Sequence, residues 1–100
     1  MAFKIIWSEK ANNDLINILE YWKERNLTNA FSIKLNEIIH KRIELIAQYP
    51  KLGKRTRIKD VRVHVVKDYL LFYRIVNKSI YILSVFDGRQ DPKKLKKLRK

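Results

Sequence analysis

The side chains able to do chemistry in this chain are mostly cationic. Residues 51–60 read Lys-Leu-Gly-Lys-Arg-Thr-Arg-Ile-Lys-Asp, and Arg62 and His64 follow two positions apart. In an extended segment that spacing puts both on one face. A free imidazole titrates near neutrality, so His64 can act as an acid or a base, with Arg62 beside it as a cation. His64 reads first, however, as a solvated strand histidine, because no carboxylate is an evident partner for it. Glu44 is a remote candidate base among several helical glutamates, and His40 falls at a polar helix position. Two histidines without an acidic spacing motif make no metal site, and the absence of cysteine excludes thiolate nucleophiles, disulfides and cysteine-ligated metals. No cofactor is expected.

A milder chemistry needs no proton transfer. Lys54, Arg55, Arg57, Lys59, Arg62, His64, Arg74, Arg89, Lys93, Lys94, Lys96 and Lys97 form a candidate binding set for a polyanionic target or an acidic inhibitor. The first 50 residues carry 7 basic and 6 acidic side chains, the last 50 carry 16 and 4, so nearly all of the net +13 is C-terminal. A field that uneven points to nucleic acid, an anionic surface or a strongly acidic protein. The bland alternative is a generally basic, solvated surface.

The elements that must position these residues follow from periodicity. At 100 residues and 46% hydrophobic content the chain suits one compact domain over 1–100, with a basic tail at 93–100. Phe3 to Trp7 reads as a strand that stops at Ser8, a good helix cap. Ala11, Leu15, Ile18, Leu19 and Trp22 make an amphipathic stripe ending near Arg25-Asn26. Thr28 is placed to cap a second helix, in which Phe31, Leu35, Ile38, Ile39, Ile43 and Ile46 repeat before Tyr49-Pro50 stops it. Residues 51–60 read as an exposed basic loop.

Beyond the loop the period becomes two. Val61, Val63 and Val65 lie on one face and Arg62 and His64 on the other; if the valines pack under the helices, the basic pair points into an open face. Lys67-Asp68 and Asn77-Lys78 are turns around a central strand, Tyr69 to Val76, apolar on both faces. Ile80 to Phe86 is a further strand, and 87–92 reads as a turn. The tail holds Leu95 and Leu98 among six basic residues, enough for one or two turns of helix that should fray without a partner. The expected fold class is α+β, ordered β-α-α-β-β-β, with a helical hairpin on one face of a small, mostly antiparallel sheet. No apolar run reaches the roughly 18 residues of a membrane span, and no export signal opens the chain, so a cytoplasmic, membrane-free protein is expected.

The ordered set of segments resembles the RelE/ParE superfamily of bacterial toxins from type II toxin–antitoxin modules. The resemblance rests on the first strand followed by Ser8 to Leu15, on Ile43 to Gly53, on Val61-Arg62-Val63, on Tyr69 to Ile75 and on Ile80 to Pro92. RelE-like members cleave messenger RNA on the ribosome, and ParE-like members poison DNA gyrase. Both resemblances imply neutralisation by an acidic cognate antitoxin, in a toxin–antitoxin hetero-oligomer. The central-strand arginine of the RelE-like pattern falls at Leu70, and no tyrosine or histidine lies beyond Tyr81 to act as a late acid. Arg89 keeps the place of the arginine after the last strand. The resemblance therefore favours the ParE branch with DNA gyrase as target. A ribosome-dependent endoribonuclease is the alternative; metal-free RNA cleavage needs a base for the 2′-hydroxyl, cations for the pentavalent phosphorane and an acid for the leaving oxygen, and the RelE-like resemblance leaves Arg62, His64 and Arg89 as the candidates for those roles. A non-toxic nucleic-acid-binding module is the second alternative.

Overall fold

The computed structural model describes residues 2–26 and 28–88. The elements are β1 (Lys4–Trp7), α1 (Glu9–Arg25), α2 (Ala30–Gln48), β2 (Lys54–Arg55), β3 (Val61–Val66), β4 (Tyr69–Val76) and β5 (Ser79–Asp87). They form one five-stranded sheet ordered β1-β5-β4-β3-β2, in which β1 runs parallel to β5 and the other pairs are antiparallel. The α+β class and the helical hairpin on one sheet face are as the pattern predicts. A fifth, two-residue strand, β2, arises inside the segment read as an exposed loop, where Gly53 and Thr56 are buried. The tail at 93–100 lies outside the described residues.

The sequence explains these elements locally. β4 is apolar on both faces and takes the middle of the sheet. The two flanking hairpins turn on Lys67 and Asn77, both in the left-handed region at φ 55° and 53°. In α1, Glu9 sits at the positive end of the helix dipole, and Lys23 and Arg25 sit at the negative end. For α2 the N-cap is Asn29 rather than Thr28 and makes no side-chain cap bond; the Thr28 hydroxyl accepts the Ala30 N–H at 3.4 Å. Leu35, Ile39, Ile43 and Ile46 of α2 join Ala11 and Leu15 of α1 against Leu71, Tyr73, Ile80, Ile82 and Val85. Burying each such aliphatic side chain is worth about 1.5–3 kcal/mol. Trp22 is half-buried at the margin of this core, its ring nitrogen donating to the Tyr69 hydroxyl, with Phe31 edge-on at 4.9 Å.

The start of α1 is fastened to an irregularity in β5. The β4–β5 register shifts at Phe72/Tyr73, so β5 carries an extra residue there. The Ser8 hydroxyl accepts the Ala11 N–H, capping α1, and donates to the Leu83 carbonyl at 3.1 Å. One turn later Asp14 Oδ2 accepts the Val85 N–H at 3.1 Å and the Ser84 hydroxyl at 3.0 Å, while Lys10 pairs with Asp14 at 2.9 Å. Polar groups of the Ser8 to Leu15 segment thus take up backbone groups at the bulge.

The two faces of β3 are reversed from the expected arrangement. Val61 and Val63 do not pack under the helices; with Leu70, Phe72, Leu83 and Phe86 they form a second apolar cluster on the far face, and Val65 is 52% exposed. Arg62 and His64 stand instead on the helix face, opposite Tyr73 and Leu71. The cause lies in the register: β4 presents Tyr73 and Leu71 to the helices, so their antiparallel partners on β3 point the same way.

Asp14→Ala removes the acceptor of the Val85 N–H beside a packed interface. The expected cost is about 1–3 kcal/mol, a fall in Tm of roughly 4–8 °C per kcal/mol with an unchanged circular-dichroism shape. An unaltered Tm would show that the bulge holds α1 without Asp14.

Candidate functional site

The site is built on a turn closed by a tyrosine. Pro50 ends α2, and the following residues fold back so that the Leu52 N–H reaches the Tyr49 carbonyl at 2.9 Å. The Tyr73 hydroxyl, from the central strand, donates to the Pro50 carbonyl at 2.6 Å and accepts the Gly53 N–H at 2.9 Å. Burial pushes the Tyr73 pKa up, against smaller opposing effects of the Gly53 N–H and the nearby Arg62. Gly53 is required by contact: a Cβ there would lie 2.8 Å from both the Tyr73 hydroxyl and the Val63 carbonyl. From the other side the Arg62 guanidinium donates to the Gly53 carbonyl at 2.8 Å and to the Lys51 carbonyl at 3.4 Å.

With the turn held, β2 falls into register beside β3, Lys54 opposite Val63 and Arg55 opposite Arg62. The β2–β3 connection is ordered by Thr56, whose hydroxyl accepts the Ile58 N–H at 3.1 Å and donates to the Val61 carbonyl at 3.0 Å. Asp60 turns the chain at φ 64°, and its carbonyl accepts the Ile75 N–H from β4. The result is an open cleft of about 700 Å³ along the sheet edge. Lys51, Arg55, Arg57, Lys59 and Arg62 line it over apolar Ile58 and Ile75, with Asp60 the one acidic lining residue. Among the described residues no carboxylate forms an ion pair with any of these five cations.

His64 lies two residues along β3 from Arg62, on the same face. Its Nε2 is 3.2 Å from Nη1 of Arg42 on α2. A guanidinium can only donate, so the ring nitrogen accepts and the imidazole is neutral in this contact. Burial first, then the Arg42 charge, lowers the His64 pKa. Among the described residues no carboxylate hydrogen-bonds His64 to orient it for proton transfer. This edge can hold anions; it does not assemble a positioned acid and base.

The structure thus divides the candidate residues. Arg55, Arg57, Lys59 and Arg62 line one cleft, with His64 at its margin. Lys54 shares the far face with Val63, and exposed Arg74 stands opposite Val61 on that same face. Arg89, Lys93, Lys94, Lys96 and Lys97 lie outside the described residues. Two cations were missed by sequence reading. Lys51 belongs to the same basic run and was legible there, whereas Arg42 meets His64 across 22 positions with no local signal. His40 contributes a tilted ring contact with Trp7 at 5.5 Å, and no group of acidic and histidine side chains among the described residues could hold a metal.

Tyr73→Phe leaves the Pro50 carbonyl and the Gly53 N–H without their buried partner, for an expected loss of about 2–4 kcal/mol in urea unfolding. A loss no larger than that of a surface substitution would mean that the turn closes without the hydroxyl. His64 supplies a pH dependence. Its folded pKa is below the ordinary 6.5, so its contribution to stability is present above that value and is lost as pH falls through the folded pKa. The urea midpoint should fall on acidification through this window more steeply in the parent than in His64→Gln, and equal slopes would assign the effect to other groups.

Three comparisons bear on identity. The fold is shared with solved structures, among them the "Chromosomal ParDE TA system from P. aeruginosa": TM-score 0.75, 19% identity, 86% of this chain and 96% of that one covered. No match to a curated protein sequence was found. Residues 5–92 match the family described as "ParE toxin of type II toxin-antitoxin system, parDE". That span takes in every described strand and helix but the first residue of β1, including the Ser8–Asp14 fastening and the basic edge, and the chain belongs to the ParE toxin family.

Proposed function

We propose that this chain is the growth-arresting component of a toxin–antitoxin pair, that it acts by binding DNA gyrase in the cytoplasm, and that an acidic antitoxin neutralises it. The solved neighbour's title names a ParDE system, which supports a toxin–antitoxin complex as the resting state here. Among the described residues no helix is long and apolar enough to cross a membrane, in keeping with a target reached from solution.

The observation that carries gyrase binding over RNA cleavage is Leu70. It occupies the position where the RelE-like resemblance calls for a catalytic arginine, and it is buried in the far-face cluster with Val63 and Phe72. A cation there would be desolvated among apolar side chains. Arg62 stands on the other face of the sheet, held by the carbonyls of the 51–53 turn, and His64 is neutral beside Arg42. Inhibition by occupancy of the target asks for neither an acid nor a base.

Induction in a bacterial host tests the reading. The expected outcome is growth arrest with an SOS response and intact messages, relieved when an acidic partner from the neighbouring reading frame is co-expressed. Arrest with cuts at codon positions in translated messages would replace this reading with ribosome-dependent RNA cleavage. Normal growth with gyrase of the native host present would leave a binding module without toxicity.

A further inference from the structure

The β2–β3 pairing contains a contact that is unfavourable by itself. Arg55 and Arg62 are direct cross-strand partners on one face, with Cβ atoms at such a pair about 4.5–5.5 Å apart, where like charges repel. Lys51, Arg57 and Lys59 crowd the same cleft, Asp60 is its one acidic lining residue, and among the described residues no carboxylate forms an ion pair with any of the five. Yet the arrangement is held by contacts within the chain, the Tyr73 clamp on Pro50 and Gly53 and the Thr56 hydroxyl on Ile58 and Val61. A concave surface with such an excess of cations is complementary to a polyanion.

We propose that this cleft binds the phosphodiester backbone of a nucleic acid, with Arg55 and Arg62 straddling one phosphate and Lys51, Arg57 and Lys59 meeting its neighbours. Three of the five cations are arginines, whose planar guanidinium forks match phosphate oxygens bidentately and stack on bases. Arg62 is anchored through Nη1 to the Gly53 carbonyl, which fixes where its remaining donors can point. Ile58, 40% exposed, and Ile75 supply an apolar floor that a base or sugar can cover and that a run of carboxylates cannot use. One strand presents a charge every ~3.4 Å along a duplex axis, which suits a row of cations along a sheet edge. The contact is a property of the purified protein and is independent of which enzyme the toxin disables.

The test is fluorescence anisotropy of a labelled single-stranded oligonucleotide, and of its duplex, with the full chain over a range of salt. The logarithm of the affinity should fall linearly with the logarithm of salt, with a slope of about −0.7 per phosphate contact on the single strand. Arg55→Ala/Arg57→Ala should weaken binding by about tenfold or more and make the slope shallower by about 1.4. Neither side chain makes a hydrogen bond in the structure, so the fold should survive, which circular dichroism checks. Lys23→Ala/Lys34→Ala, removing the same charge from the helices, should leave affinity nearly unchanged. Equal weakening by the two double variants would overturn the proposal, because it would reduce the site to net charge. So would an affinity that does not rise from a mononucleotide to the oligonucleotide at equal ionic strength, which marks a small-anion site. Binding of poly-glutamate as tight as that of the oligonucleotide at equal charge would assign the cleft to an acidic protein instead.

Discussion

One phenolic hydroxyl holds the basic edge of this molecule in place. Tyr73 stands in the middle of the sheet, inside the core, yet its hydroxyl serves the backbone on either side of Lys51 and Leu52. Without that link Pro50 would merely end a helix and the next ten residues would be a solvated loop. With it, the chain is turned back against β3, Gly53 lies too close to Tyr73 and Val63 to carry a side chain, and a two-residue strand can form. The juxtaposition of Arg55 with Arg62 is a consequence of core packing. The repulsion it entails is offset by burial and hydrogen bonds elsewhere, so the fold retains a local conflict at this edge.

The sheet is asymmetric in a way that serves the same end. The inward residues of β1, β5 and β4 are aliphatic or aromatic, and β3 joins the same core through Val66 before the second half of α2 meets it at the polar Arg42–His64 contact. The helix face can therefore turn polar at its far margin without breaking the core. Arg62 and His64 occupy that margin, where the helical layer gives out and backbone carbonyls of the turn become available to a guanidinium. The far face carries its own cluster around Val63 and Phe72 and takes no part in the basic edge beyond Lys54 and Arg74.

Much of this was legible in the residues. The helical stripes, the two turns, the central place of β4 and the concentration of charge after residue 50 all follow from patterns shorter than twenty residues. The failures share one cause. Which face of β3 meets the helices depends on its register with β4, and a period of two is equally satisfied by either orientation. Val61 and Val63 looked like core and are core, though of the second cluster, whereas Val65 is exposed. Likewise, nothing near residue 53 announces that a tyrosine twenty positions later will convert a basic loop into a strand, and nothing in α2 marks Arg42 as the neighbour of His64. The Ser8–Asp14 segment was recognisable as a family feature before its physical role was visible: its polar side chains answer a bulge some seventy residues away.

The pairing of β1 with β5 also has a temporal meaning. The first strand made is hydrogen-bonded to the last, and the cap of α1 is closed by carbonyls of the same final strand. The basic edge and its hairpin, by contrast, use contacts separated by some twenty residues. During synthesis the helices have no complete sheet to rest on until the stretch from Ser79 to Asp87 has been added. A chain interrupted before that point keeps the cations of the basic edge and loses its architecture. Completion of that stretch thereby turns two unsupported helices and an unpaired first strand into one folded domain.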